Sequence, residues 1–300
     1  MLDSIPLLTA FFRRMLYSNV EFSVSEDLAS QTMMVPASAV TIDDLADGIE
    51  AYPFAEEWFV GVKNMTQQVA PDAALFRIDS DGHSPSAFSW YLRFPVPPDD
   101  DKFYDVMRYA KPFRWVGPRP SKVGSAVKLP GPRGLGLRVR SNGAINSAIY
   151  YRITDGPASN PTAAIERLLN ACGLPARLAE VIVGDLGFAC MGELSVIGVD
   201  QGSDARVGAL KFNLEDVPTR QATQFLTSKG SPKSARDRVE TMATALRART
   251  ISYLGLKYTQ DGFAGWRAYF SCEPARVTSI RSVKVLVGGS VSGKSRIPQY

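Results

Sequence analysis

The sequence predicts an α+β fold: about ten antiparallel strands closed into a β-barrel, built from repeated αββ units with the helices outside. Two observations lead there. Five segments share one outline, in which an alternating apolar strand and a turn rich in Gly, Asp, Asn or Ser precede a second alternating strand, and in three of them that second strand carries Tyr with Arg. Between them lie stretches with apolar residues three and four apart, the helical period.

Residues 1–14 read as a short amphipathic helix, because the apolar run is too short to span a membrane and its charges follow it. The first hairpin, 20–25 with 31–35, is the weakest copy, and helices are expected over 41–49 and 54–67. A second hairpin pairs 74–82 with 89–94, and a helix over 102–110 follows. The third pairs 135–143 with 148–153. Next comes a helix over 160–170, with Asn160 as cap and Pro161 at its first position. A fourth hairpin runs from 187–191 through a turn at 200–204 to 209–214. A helix over 234–248 then presents Val239, Met242 and Leu246 on one stripe, ahead of the fifth hairpin, 254–262 with 267–270. The third and fifth hairpins both open with Leu-Gly-Leu and a basic residue. One domain over 1–280 with a flexible tail at 281–300 is expected.

Hydrophobic residues make up 45% of the chain and charged residues 21%, an ordinary globular balance that excludes disordered and fibrous classes. The net charge of +4 is mild and the basic residues are spread out, which argues against nucleic acid as a partner. Cys172, Cys190 and Cys272 form no C-x-x-C pair, so neither a disulfide framework nor a zinc site is expected. These features describe a cytoplasmic protein, with no membrane partner, expected as a monomer.

Antiparallel strands in this number close because closure removes exposed edges. With helices outside, the outward strand face must be apolar and the inward face is free to be polar. The alternation turns Ile149, Tyr151, Leu210, Phe212 and Leu214 outward. It turns Arg77, Tyr91, Arg93, Arg138, Arg140, Tyr150, Arg152, Lys211, Asn213, Tyr253, Lys257, Arg267 and Tyr269 inward. Few inward carboxylates accompany these cations, and buried unpaired cations are costly, so the interior calls for an anion. A diphosphate matches Lys and Arg donors, and tyrosines add phosphate-binding hydroxyls and π faces for a carbocation. Such a site would hold an allylic diphosphate as it ionises and shield the cation from water. From periodicity alone, an open sheet with a solvated Arg/Tyr face accounts for the pattern equally well.

The αββ repeat resembles the soluble aromatic prenyltransferases of the ABBA, or PT-barrel, type, in particular the aminocoumarin and naphthoquinone group. The residues that carry the resemblance are 75–79 (Leu-Phe-Arg-Ile-Asp), 90–95 (Trp-Tyr-Leu-Arg-Phe-Pro), 148–152 (Ala-Ile-Tyr-Tyr-Arg), 206–211 (Arg-Val-Gly-Ala-Leu-Lys) and 267–269 (Arg-Ala-Tyr), in family order. The resemblance implies transfer of a dimethylallyl or geranyl group from its diphosphate to an electron-rich aromatic small molecule, by Friedel-Crafts substitution in secondary metabolism. It implies that Arg206 or Lys211, Arg267, Tyr269 and Tyr150 hold the diphosphate, with Tyr91 and Tyr253 along the path of the cation. Arg77, Arg138 and Lys257 complete the basic set. Ser89 stands where the family carries a Lys, and Ala148 where it carries an Asn; Arg93 or Arg152 would supply the missing charge. Ser30 is nearest to the family's magnesium-binding Asp, so no cofactor and no magnesium are expected. Relative to that family the chain starts late, without a full leading helix. Asp79 and Glu273 are candidate proton acceptors.

Other motifs carry less. Gly288–Ser295 satisfies G-x-x-x-x-G-K-S, but only five residues follow it, too few for the helix and strand a phosphate loop needs. Asp99, Asp100 and Asp101 follow two prolines and read as a loop and helix cap rather than a metal motif. His83, the one histidine, lies in a turn, which excludes a histidine metal cluster and disfavours a Ser-His-Asp triad. The alternative of another class is a non-catalytic barrel that binds an anionic lipid or metabolite.

Overall fold

A computed structural model describes residues 20–26, 31–36, 74–80, 85–110, 113–153, 160–189, 193–202 and 207–272. The described residues contain ten strands: β1 (Val20–Ser25), β2 (Gln31–Pro36), β3 (Ala74–Ser80), β4 (Pro85–Arg93), β5 (Gly134–Arg140), β6 (Ile145–Arg152), β7 (Glu193–Gln201), β8 (Val207–Pro218), β9 (Thr250–Thr259) and β10 (Gly262–Cys272). Every neighbour is antiparallel, each strand pairs with the next in sequence, and β1 pairs with β10. The ring is therefore closed. Closure excludes the open sheet that periodicity alone allowed.

The helices are α1 (Asp100–Tyr109), α2 (Pro120–Ala126), α3 (Pro161–Cys172), α4 (Ala179–Ala189), α5 (Thr219–Ser228) and α6 (Lys233–Ala245). Each of the three described connections thus carries two helices where the sequence predicts one. The expected strand over 187–191 is a correction of the same kind: 187–189 end α4, and β7 begins at Glu193. A run such as Gly-Phe-Ala-Cys-Met has no period of its own, and the helix before it decides its state. The helices expected over 41–49 and 54–67, His83, and the tail with its phosphate-loop-like motif lie outside the described residues.

Capping follows the local chemistry. Asn160 accepts from the Ala163 amide and Gly173 closes α3 with φ 71°, the left-handed position that favours glycine. Asp99 caps α1 through the Lys102 amide, and Asp100 accepts from the Ser121 amide and hydroxyl, which ties α1 to α2. The aspartate run is a pair of fasteners. Among the described residues, no helix is long and apolar enough to cross a membrane.

The hydrophobic core lies between barrel and helices. Leu135, Leu137, Ile149, Tyr151, Leu210, Phe212, Leu254, Leu256 and Phe270 turn outward and are buried together with Phe103, Leu168, Ile182, Phe225 and Val239 of the helices. Outward aromatics with polar tips are satisfied there: Tyr151 donates to the Pro120 carbonyl (2.8 Å), Trp266 to Ser231 (2.8 Å) and Tyr258 to Asp185 (2.8 Å), which also pairs with Lys229. Burial pushes the Tyr151 and Tyr258 phenols far up, so both stay protonated donors. With the apolar side chains committed outward, the barrel interior is left to polar residues.

Candidate active site

Because consecutive strands are antiparallel, the hairpin ends share one end of the barrel, and the three described helical connections lie at the other. Within the barrel is a cavity of about 760 Å³. The most enclosed charge beside it is Asp79, 0% exposed, which sits behind the lining residues Arg77, Arg138 and Arg267. Oδ1 of Asp79 accepts from Arg77 Nε (2.9 Å) and Arg267 Nη1 (3.0 Å) and pairs with Arg77 Nη2 (2.8 Å); Oδ2 accepts from Arg138. One carboxylate gathers guanidiniums from β3, β5 and β10. The centre keeps a surplus of two positive charges.

Arg77 also donates to the hydroxyls of Tyr91 (3.3 Å) and Tyr269 (3.5 Å), and its guanidinium lies 6.0 Å from the Tyr269 ring centre. Burial opposes the Arg77 charge, but Asp79, with Tyr91 and Tyr269, outweighs it and raises the pKa well above the ordinary value. For Arg267, burial and the adjacent Arg77 charge press downward. Both remain cations.

The opposite wall is built by β6 to β9. Lys211 pairs with Asp200 (2.6 Å) and is registered directly against Lys257. Burial lowers the Lys257 pKa; Asp200 works against that, while Lys211, Arg140 and Arg138 add to it.

Between the two walls stand Tyr91 and Tyr150, ring centres 5.8 Å apart and tilted by 54°. Burial disfavours the Tyr91 phenolate, but Arg77, Lys211 and Arg138 outweigh this and bring its pKa below the usual tyrosine range. Burial, Tyr91 and Asp200 hold Tyr150 well above it. Glycines make room for these rings. A Cβ at Gly136 would lie 2.9 Å from the Tyr91 ring and 3.1 Å from that of Tyr150, and one at Gly198 would lie 3.0 Å from Tyr150. In the repeated Leu-Gly-Leu-basic motif the glycine faces inward under a tyrosine, Gly255 beneath Tyr269 as Gly136 beneath Tyr91.

Of the residues expected inside, Arg77, Tyr91, Arg138, Arg140, Tyr150, Lys211, Asn213, Lys257, Arg267 and Tyr269 line this one cavity. Arg93 and Arg152 do not. Each lies two residues beyond an inward tyrosine, on the same face but at the helix end of its strand. There Arg93 is exposed and Arg152 reaches Glu215 at 3.9 Å. Neither replaces the charge absent at Ser89. Tyr253 is registered against Tyr269 but is not among the lining residues. Arg206, Glu273 and Ser30 lie outside the described residues. Asp79 is in the interior rather than at a solvated strand end, saturated by arginines. The scarcity of inward carboxylates is also corrected: Asp200, assigned to a turn from its Asp-Gln-Gly-Ser-Asp context, is in β7 and faces Lys211. The inward parity of Asp200 opposite Ala148 was the signal that could have found it.

No family model matches the sequence, and neither does any curated protein. Solved structures do. AnaPT from Neosartorya fischeri superposes with a TM-score of 0.58 at 12% identity, over 84% of this chain and 77% of that one. The chain has the prenyltransferase-barrel fold. The same barrel appears in 5-dimethylallyltryptophan synthase from Streptomyces coelicolor, with a TM-score of 0.55 at 16% identity over 91% of this chain and 86% of that one. It appears again in 6-dimethylallyltryptophan synthase from Micromonospora olivasterospora, in complex with DMASPP and Trp, with a TM-score of 0.56 at 13% identity over 86% and 83%. Two of these three barrels are named as dimethylallyltryptophan synthases rather than as aminocoumarin- or naphthoquinone-type enzymes.

Proposed function

We propose that this protein is an aromatic prenyltransferase, which moves a dimethylallyl or geranyl group from its diphosphate to an electron-rich aromatic small molecule. The observation that carries the reading is the guanidinium centre of Arg77, Arg138 and Arg267 beside the tyrosine pair, in a closed barrel of the fold that dimethylallyltryptophan synthases use. The cationic centre holds the diphosphate and stabilises the charge that builds on it as the allylic C–O bond breaks. Tyr91, Tyr150 and Tyr269 offer π faces to the allylic cation and keep water from it. The diphosphate takes the electron pair of the broken C–O bond, an arene carbon then donates the pair that forms the new C–C bond, and the ring proton leaves to a base or water.

Charge balance supports a reaction without a metal. Arg77, Arg138, Arg140, Lys211, Lys257 and Arg267 face the cavity, accompanied by Glu26, Asp79 and Asp200. The surplus of three positive charges equals the negative charge of a fully ionised prenyl diphosphate, so the protein supplies the neutralisation that magnesium gives elsewhere. Membership of the aminocoumarin or naphthoquinone group, a monomeric state and a cytoplasmic location belong to this proposal as well.

The test is incubation with labelled dimethylallyl and geranyl diphosphate and a panel of phenols, naphthols, phenazines and indoles, with EDTA in one arm. Prenylated product is expected in both arms. Failure of every allylic diphosphate to bind by calorimetry overturns the reading. Tyr269→Phe beside Arg267→Ala separates it from a binding barrel: an enzyme loses turnover in both, a binding protein responds mainly to the charge.

A further inference from the structure

The charge balance of the cavity closes for a bound prenyl diphosphate and stays open for the departing one. Among the described residues the cavity has six cations and three carboxylates about it, a surplus of three positive charges. A prenyl diphosphate brings three negative charges. Its C–O bond breaks with the electron pair on oxygen, so the pyrophosphate that departs carries four, and the fourth calls for a proton. Over the whole reaction the arene loses one proton and pyrophosphate gains one. A group inside the barrel that gives a proton at the first step and regains one at the last keeps that balance.

Tyr91 stands where such a donor is needed. Its hydroxyl oxygen accepts from Arg77 Nη1 at 3.3 Å, at the edge of the guanidinium centre, and its ring reaches that place over Gly136, where a Cβ would lie 2.9 Å from it. The charged and titratable groups about it are Arg77 and Asp79 on β3, Arg138 on β5, Tyr150 on β6 and Lys211 on β8. The cations outweigh burial and Asp79, so the free protein holds this proton loosely. A bound diphosphate offsets the cations and keeps the phenol protonated until the C–O bond breaks. The neighbours are committed otherwise: Asp79 is saturated by guanidiniums, arginines keep their protons at neutral pH, and burial, Tyr91 and Asp200 hold the Tyr150 proton firmly. We infer that Tyr91 is the general acid of the transfer: its O–H proton passes to the pyrophosphate oxygen as that oxygen takes the C–O electron pair. The phenolate left behind is stabilised by Arg77, Arg138 and Lys211, and the proton that the arene sheds after the C–C bond forms restores the phenol, directly or through water. This rests on the prenyl-transfer reading and adds a proton carrier to it.

The experiment uses two donors of nearly the same shape, dimethylallyl methylenediphosphonate and its difluoromethylene counterpart, with 1-naphthol and indole as acceptors. The fluorinated leaving group is the weaker base and departs with little help; the other depends on a proton. Tyr91→Phe is expected to lower kcat about a hundredfold or more for the methylene donor, and to lower it about tenfold less for the difluoromethylene donor. Affinity for dimethylallyl thiolodiphosphate should stay within about threefold, which also reports that the variant folds. An absorbance titration of tyrosinate reads the same group without turnover. The wild type should show a step below the ordinary tyrosine range that Tyr91→Phe lacks and that inorganic pyrophosphate carries to higher pH. Equal losses of kcat with the two donors overturn the inference, and so does a titration that Tyr91→Phe leaves unchanged. A loss of thiolodiphosphate affinity as large as the loss of kcat overturns it too, since the hydroxyl then only binds. If Lys257→Arg separates the two donors and Tyr91→Phe does not, the acid is Lys257. Should no allylic donor bind or react in the wild type, the prenyl-transfer reading itself falls, a result distinct from turnover with equal losses.

Discussion

At the scale of single residues the interior is governed by how few anions are set among many cations. Asp79 keeps three guanidiniums within reach of one another, so its loss leaves them mutually repelling. Asp79→Asn is expected to cost about 2–4 kcal/mol in urea denaturation, at the lower end for a broken buried ion network because Arg138 and Arg267 also reach the cavity. Inorganic pyrophosphate should restore more of the melting temperature in the variant than it adds to the wild type, since the cavity is then one charge more positive. A variant as stable as the parent, and no better stabilised by pyrophosphate, contradicts this role. Lys257 gives a pH dependence. Its ammonium is disfavoured by burial and by neighbouring cations, so its pKa in the free protein is lowered, and a bound anion raises it again. Between those two values binding takes up a proton. Pyrophosphate affinity therefore falls as pH rises through the lowered pKa, by up to about tenfold per pH unit. Tyr91, also lowered, adds a negative charge in the same direction. In Lys257→Arg, which holds its charge, calorimetry should find the fall displaced to higher pH; an unchanged profile would remove Lys257 from the diphosphate site.

At the scale of elements, the Leu-Gly-Leu-basic strands show what the repeat is for. The leucines pack on the helices, the basic residue faces the cavity, and the glycine lets a tyrosine from the next strands lie flat across the sheet. Gly136→Ala is expected to displace Tyr91 and Tyr150, because both rings would come closer to the new Cβ than ordinary contact permits. The cost should be about 1–3 kcal/mol in unfolding, and prenyl transfer should fall more than thiolodiphosphate affinity. Equal losses in both would mean the tyrosines bind rather than shield. The repeat was legible in the sequence because glycine followed by a basic residue recurs at the same point of two hairpins. That it marks the resting place of a ring from another strand was not, since Tyr91 is 45 residues from Gly136 in sequence.

At the scale of the whole molecule, the barrel wall separates what folds the chain from what the cavity does. The apolar layer is outside the wall and the polar cavity inside it. Phe212→Ala, in the outer layer, should therefore lose about 3–5 kcal/mol, whereas Tyr269→Phe, facing inward, should lose less than about 1 kcal/mol and still abolish most turnover. Comparable destabilisation by the two would place part of the core inside the barrel. Period-two alternation, turn chemistry and helix caps are local, and by themselves they determined most of the hairpins, the outward and inward faces and ten of the cavity residues. Residues such as Arg93 and Arg152 obey the same alternation and yet miss the cavity, because parity fixes a face and says nothing of depth along the barrel. Closure and the convergence of Arg77, Arg138 and Arg267 on Asp79 were decided only by tertiary structure. They depend on strand tilt and on register between segments up to about 190 residues apart, distances over which sequence pattern carries no phase.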